Sequence, residues 1–290
     1  MKEIKLAVLG GDGRQKYLIS ALGEMGYTVS AYGVNDGSVP NCDTLAAALD
    51  GAYAAVLPFP LTPDGVFLNA SCETCNVRLT DLFYEISAQG IKTAFGGGVK
   101  DGVLKIADAC GVTLTDYGKD ENVLVKNALC TAEGAIEIAL RELTVNLHGS
   151  ASAVIGYGRI GSLLTSRLKA LGSAVTVIAR REESLSLAEC NGAKAVSLSA
   201  FTDAPEDYDV IFNTVPTPLL NKNVLGRLCA DTLIIDLASA PGGVDRAEAE
   251  ALGLKVIWAL SLPGKTSPKS AAMIIAEAVD KRIRAERYGL

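Results

Sequence analysis

Apolar residues in this 290-residue chain fall into short continuous runs, separated by segments where they recur every three or four positions. That is the pattern of buried strands alternating with amphipathic helices. In the first half it predicts strands at 4–9, 27–32, 53–57, 92–95 and 112–115, with helices at 14–25, 43–49, 79–89 and 101–110 between them. Five strands alternating with helices make a flavodoxin-like or Rossmann-like unit. The stretch 58–78 is long for a loop in such a unit, and loops of that length are usually functional or disordered. A long helix is expected at 122–143, with Val125, Leu129, Ala132, Ile136, Leu140 and Leu143 on one face. A second set of strands then follows at 153–155, 174–178, 195–198, 210–213, 233–236 and 255–257. The last helix starts at Ser267-Pro268, where Ser suits the N-cap and Pro costs no intrahelical bond. Ala271, Ile274, Ile275, Ala278, Val279 and Ile283 give it an apolar face.

The expected fold class is therefore α/β, with two Rossmann-like doubly wound domains joined by long helices and a cleft between them. Residues 1–121 with 267–290 would form a substrate and catalytic domain. Residues 122–147 would form a connecting helix, and 148–266 a dinucleotide-binding domain.

Candidate chemistry concentrates where strands run into helices. The strand ending at Ile155 leads into Gly156-Tyr-Gly158-Arg159-Ile160-Gly161, a G-x-G-x-x-G turn opening a helix. The first Gly permits the turn, the second lets backbone approach a pyrophosphate, and the third lets helix pack on strand. The diphosphate would meet the free N–H groups of the helix start. About twenty residues on, where NAD enzymes place a carboxylate on the ribose, stand Arg180 and Arg181. Two guanidinium groups there suit a 2′-phosphate, so the expected cofactor is NADP. The plainer readings are a solvated arginine pair and a vestigial unit holding no cofactor. Asn213, Thr214, Val215 and Pro216 occupy the position that usually lines the inner ribose and nicotinamide.

The first unit opens on a related turn, Gly10-Gly-Asp-Gly13-Arg14-Gln-Lys16, with Lys in place of the third Gly. It reads as an anion-binding turn adapted to a substrate. Arg14 at a helix start is a substrate candidate, because a cation there needs an anion to neutralise it. Segment 262–267 combines a flexible Gly264 with Lys265, hydroxyls and a helix start, and can bind a carboxylate. A solvated lysine is the competing reading. Lys100 and Lys269 complete the cation candidates.

Composition narrows the field. Net charge is −6 and hydrophobic residues make up 49%, which gives no general attraction to nucleic acid or an anionic membrane. The N-terminal apolar run is too short for a signal peptide, and no stretch approaches a membrane span. Seven scattered Cys fit reduced thiols in a cytoplasm. Cys72 and Cys75 have metal or redox spacing but lack further ligands, since the single His, His148, lies far along the chain; no metal site is expected. Cys130 reads as a small core residue. No nucleophile–base pair is visible, which argues against hydrolysis but not against hydride transfer, where the cofactor carries the hard step.

These elements in this order resemble the dipicolinate synthase A-subunit family of spore-forming bacteria. The likeness rests on 10–15, 156–161 and 263–269 and runs over nearly the whole chain. More distantly, the plan is similar to alanine dehydrogenase, S-adenosylhomocysteine hydrolase and the 2-hydroxyacid dehydrogenases. The segment from Asn127 through Thr131 to Glu133 resembles the hydrolase helix that passes the nicotinamide. The resemblance implies NADP-dependent oxidation of a dihydrodipicolinate, or its hydrated tetrahydro precursor, to dipicolinate. The substrate would be a small dicarboxylate held by Arg14, Lys100, Lys265 or Lys269. It also implies the flavoprotein-like B-subunit of the synthase as partner, a homo- or hetero-oligomer, and the cytoplasm of a sporulating mother cell. A dehydrogenase for another small amino or hydroxy acid, and a non-catalytic NADP-binding scaffold or regulatory protein, remain alternatives.

Overall fold

The computed structural model describes residues 4–34, 41–72 and 75–289. Residues 1–3, and Glu73 and Thr74 within the Cys72–Cys75 segment, lie outside them. In chain order the elements are β1 (Lys5–Leu9), α1 (Arg14–Glu24), β2 (Thr28–Tyr32), α2 (Leu45–Leu49), β3 (Ala54–Val56), α3 (Leu79–Ala88), β4 (Thr93–Gly96), α4 (Asp101–Ala109), β5 (Thr113–Asp116) and α5 (Glu121–Glu142). They continue as β6 (Ala151–Ile155), α6 (Arg159–Ala170), β7 (Ala174–Ala179), α7 (Glu182–Cys190), β8 (Lys194–Ser197), α8 (Leu198–Asp203), β9 (Val210–Asn213), α9 (Lys222–Leu225), β10 (Leu233–Asp236), α10 (Arg246–Ala251), β11 (Lys255–Trp258), α11 (Leu262–Thr266) and α12 (Pro268–Tyr288). Two compact units result: Met1–Asn127 with Ser267–Leu290, and Ala128–Thr266.

The first unit holds a parallel sheet of order β2-β1-β3-β4-β5, the flavodoxin-like order. The second holds a parallel sheet of order β11-β10-β9-β6-β7-β8, the Rossmann order, with its switch between β6 and β9. The inner strands are mostly apolar because helices cover both faces: Leu6–Leu9 and Ala153–Ile155 are all buried. Ile155 stands in register with Ile178 and Asn213, so the carboxyl ends of β6, β7 and β9 come level.

α12 buries all six of its expected apolar positions. Pro268 opens that helix, but Ser267 gives no side-chain cap bond. On α5 the expected stripe holds in part: Ala132 and Ile136 are buried, whereas Val125 is 43% and Leu140 60% exposed. Ala128, Ala135 and Ala139 are buried beside Ala132 on one face, because small side chains let a helix pack closely. The described residues of segment 58–78 fold back within the first unit. Asn69 N–H donates to Leu61 O at 2.9 Å, and Leu61 and Leu68 enter the core.

Candidate dinucleotide site

Two of the three glycines in the turn after β6 are required by the protein itself. Gly156 has φ +94°, and a Cβ there would lie 2.4 Å from Thr214 Oγ1. A Cβ on Gly161 would lie 2.0 Å from the Gly156 carbonyl oxygen, which sets how closely α6 packs on the turn. Gly158 differs. Its φ is −88°, and a Cβ would meet nothing within 4 Å. Neither backbone conformation nor packing asks for glycine there, whereas a diphosphate drawn close to the backbone does. The N–H groups of Tyr157, Gly158 and Ile160 have no acceptor among the described residues, and no acidic residue stands in the first turn of α6. This helix start is electrostatically ready for an anion.

A cavity of about 340 Å³ opens beside the turn. Ile178, Leu198, Val215 and Leu219 give it apolar walls, and Arg180 and Arg181 stand at the end of β7. Both arginines are exposed, and among the described residues neither pairs with a carboxylate. These residues fit a nicotinamide dinucleotide: an apolar slot, a bare glycine under open space, and two uncompensated guanidinium groups.

Other expected ligands do a different job. Asn213 is fully buried; its Nδ2 donates to Val215 O at 3.0 Å and to Asp236 Oδ1 at 2.8 Å. Its Oδ1 accepts from Val215 N at 3.2 Å. The Thr214 hydroxyl donates to Ile155 O at 2.8 Å. The Asn213 side chain is spent on the loop, so the expectation that it reaches the cofactor is corrected: it shapes the cavity from behind, while Thr214, Val215 and Pro216 line it as expected. Asp236 also accepts from Ala238 N at 3.1 Å and Gly243 N at 2.9 Å. One buried carboxylate thereby fixes the loops after β9 and β10. Ile160 packs partly into the core, leaving its N–H as its contribution, and Arg159 is exposed. Asn127 and Thr131 are half-buried on α5, the former in the first unit and the latter in the second.

In the first unit, Arg14 is not waiting for a substrate carboxylate. Its Nε and Nη2 grip Asp12 at 2.8 and 2.7 Å, another bond reaches Phe59 O, and the side chain is 6% exposed. The anion that the helix start demands is supplied by the chain. Burial works to raise the Asp12 pKa, but the hydrogen bond and charge of Arg14 outweigh it and hold the carboxyl below its usual range. The expected anion-binding turn is likewise closed. Gly11 N–H donates to Asn69 O at 2.7 Å, Ser71 N–H donates to Gly11 O at 2.8 Å, and the Gln15 side chain accepts from Asp12 N at 3.1 Å.

Lys100, at the start of α4, and Lys269, in the first turn of α12, are exposed cations of the first unit; Lys265 is exposed in the second. Lys265 lies on the short helix α11 rather than in a flexible loop. Thr266 bonds back to Leu262 O at 3.0 Å and seats against Gly134, where a Cβ would come within 2.7 Å of its hydroxyl. Cys130 is buried, which pushes its thiol pKa up. Burial and the neighbouring Cys72 do the same to Cys75, which packs on Gly33.

Sequence reading missed Ser184, Leu198 and Leu219 in the cavity wall. Leu198 follows β8, so the rule that ligands sit at the carboxyl ends of strands pointed to it.

Residues 5–118 match the family model for the N-terminal domain of the dipicolinate synthase A-subunit. Residues 130–259 match that for the NAD binding domain of D-isomer specific 2-hydroxyacid dehydrogenases. The dipicolinate synthase A-subunit of Bacillus subtilis (strain 168) is 30% identical over 96% of this chain and 95% of that protein. The chain belongs to the dipicolinate synthase A-subunit family. The crystal structure of that family's member from Bacillus halodurans superposes with a TM-score of 0.86 at 27% identity, covering 97% of each chain. The crystal structure of the Bacillus subtilis member gives 0.84 at 29% identity over 99% of each. Membership of this family, with the dehydrogenase domain match, supports a dehydrogenase-type oxidoreductase role and a nicotinamide cofactor.

Proposed function

We propose that this chain binds NADP in preference to NAD on its second unit, as the oxidoreductase component of a dipicolinate synthase. Its substrate is a dihydrodipicolinate or the hydrated tetrahydro precursor, and its product is pyridine-2,6-dicarboxylate. The observation that carries this reading is the bare Gly158 beside two unpaired arginines. The cofactor, when bound, accepts the hydride. The chain's own residues supply position: Gly158 admits the diphosphate, the first amides of α6 receive it, and Arg180 and Arg181 meet the 2′-phosphate. Asp236 and Asn213 hold the loops that line the cavity. With Arg14 engaged by Asp12, the exposed Lys100, Lys265 and Lys269 remain of the four candidate cations for the substrate carboxylates. The partner is the flavoprotein-like B-subunit, in the cytoplasm of a sporulating mother cell.

One observation favours a second reading. The described residues lining the cavity include no carboxylate, imidazole or lysine, which suits a protein that holds NADP for a catalytic partner. Assays of the pure chain alone and with the B-subunit, given NADP and a dihydrodipicolinate-generating system, separate the two. Product from the chain alone supports the first reading, and product only with the partner supports the second. No product in either contradicts both. For the cofactor, Arg180→Asp with Arg181→Ala is expected to weaken NADP about 100-fold while changing NAD little; equal losses would refute the 2′-phosphate assignment.

A further inference from the structure

A second cavity, of about 330 Å³, lies at the ends of β7 and β8. Arg180 and Leu198 stand in the walls of both cavities, so the two spaces share a border. Their linings differ in kind. The first has the flat apolar walls that a nucleobase and ribose need, from Ile178, Leu198, Val215 and Leu219. The second is lined by Leu198, Arg180 and the hydroxyl-bearing Ser197, Ser199 and Thr202, with no carboxylate among the described residues.

The hydroxyls are not equivalent. Thr202 donates to Ser199 O at 2.9 Å. Ser197 Oγ accepts from Ala200 N at 3.2 Å and lies 3.1 Å from Ser199 Oγ. The Ser197–Ser199 contact uses one of their two hydroxyl protons, with either oxygen as donor, and leaves the other to donate outward from the exposed end of the pair. A guanidinium beside a hydroxyl pair with a proton to donate, and no carboxylate among the described lining residues, suits a phosphate.

We propose that this second cavity seats the 2′-phosphate of NADP, and that Ser197 and Ser199, with Arg180, are specificity-determining residues. The inference rests on the NADP preference proposed above and deepens it. Ser197→Asp keeps an acceptor for the Ala200 N–H and places a carboxylate where the phosphate would sit. Ser199→Ala removes one donor. Calorimetric titration of each variant with NADP and with NAD is expected to give about a 100-fold loss of NADP affinity for Ser197→Asp. For Ser199→Ala the expected loss is roughly tenfold. NAD affinity stays within about twofold in both, since its ribose hydroxyl does not need the second cavity.

Unchanged NADP affinity in both variants, or equal losses for NAD and NADP, would overturn the assignment. If Ser197→Asp melts below the parent without ligand, Ser199→Ala decides by the same criterion. A parent protein that binds NAD as tightly as NADP contradicts the underlying preference instead. A parent that prefers NADP, loses the preference on the double arginine change and keeps it in both serine variants, leaves NADP standing and refutes this pocket.

Discussion

Two glycine turns, each following the first strand of a parallel sheet, end in opposite states. After β1 the chain closes its own turn. Segment 69–71 pairs with Gly11, Gln15 fills the hollow beneath it, and Asp12 neutralises Arg14. After β6 the described residues do not do the same: Gly158 faces open space, and the Tyr157, Gly158 and Ile160 amides lack acceptors among the described residues. The pattern of glycines does not separate a binding turn from a structural one. What separates them is whether the chain itself satisfies the donors and the positive helix end.

Substitutions can break that contrast. Gly161→Ala should have the largest effect, about 3 kcal/mol off the stability of the second unit by urea unfolding. Its methyl would sit 2.0 Å from a backbone oxygen. Arg14→Ala strips the partner from a half-buried carboxylate and the donor from Phe59 O. It should cost roughly 2 kcal/mol in the first unit, with dinucleotide affinity unchanged. Preserved stability with a raised substrate KM would instead make Arg14 a substrate ligand.

The pH dependence follows from the same pair. The Asp12 pKa lies below its unfolded value of 3.8. Its contribution is therefore complete above that pH and lost as pH falls through the lower, folded value. Asp12→Asn should flatten the acid limb of the first unit's stability profile in a pH-resolved melt. Gly13→Ala should do least, a few tenths of a kcal/mol either way in thermal melts. Gly13 has φ −55° and open space around it, but its helix start is already neutralised by Asp12.

The sheets, the strand ends and the glycine turn after β6 were legible in the sequence because continuous apolar runs and Gly-x-Gly-x-x-Gly report local geometry. The choice between flavodoxin-like and Rossmann-like order for the first unit was not, since both share the same alternation. Asn213 and Arg14 were misread for one reason. A polar side chain at a strand end is available to a ligand only if its neighbours leave it free, and Asp236 and Asp12 do not. On α5 the stripe is right at Ala132 and Ile136 but wrong at Val125 and Leu140, because alanines and not the larger apolar residues mark the rest of the packed face. Segment 58–78 reads as functional or disordered, yet its residues 69–71 seal the first turn through backbone bonds that no side-chain pattern announces.

The central claim is that Gly158 is glycine for a ligand and not for the fold. Calorimetric titration of Gly158→Ala with NADP, alongside its melting temperature without ligand, tests it most directly. An unchanged melting temperature with about a 100-fold weaker NADP affinity is expected. Parent-like NADP affinity, or a melting temperature that falls as far as that of Gly161→Ala, would contradict it.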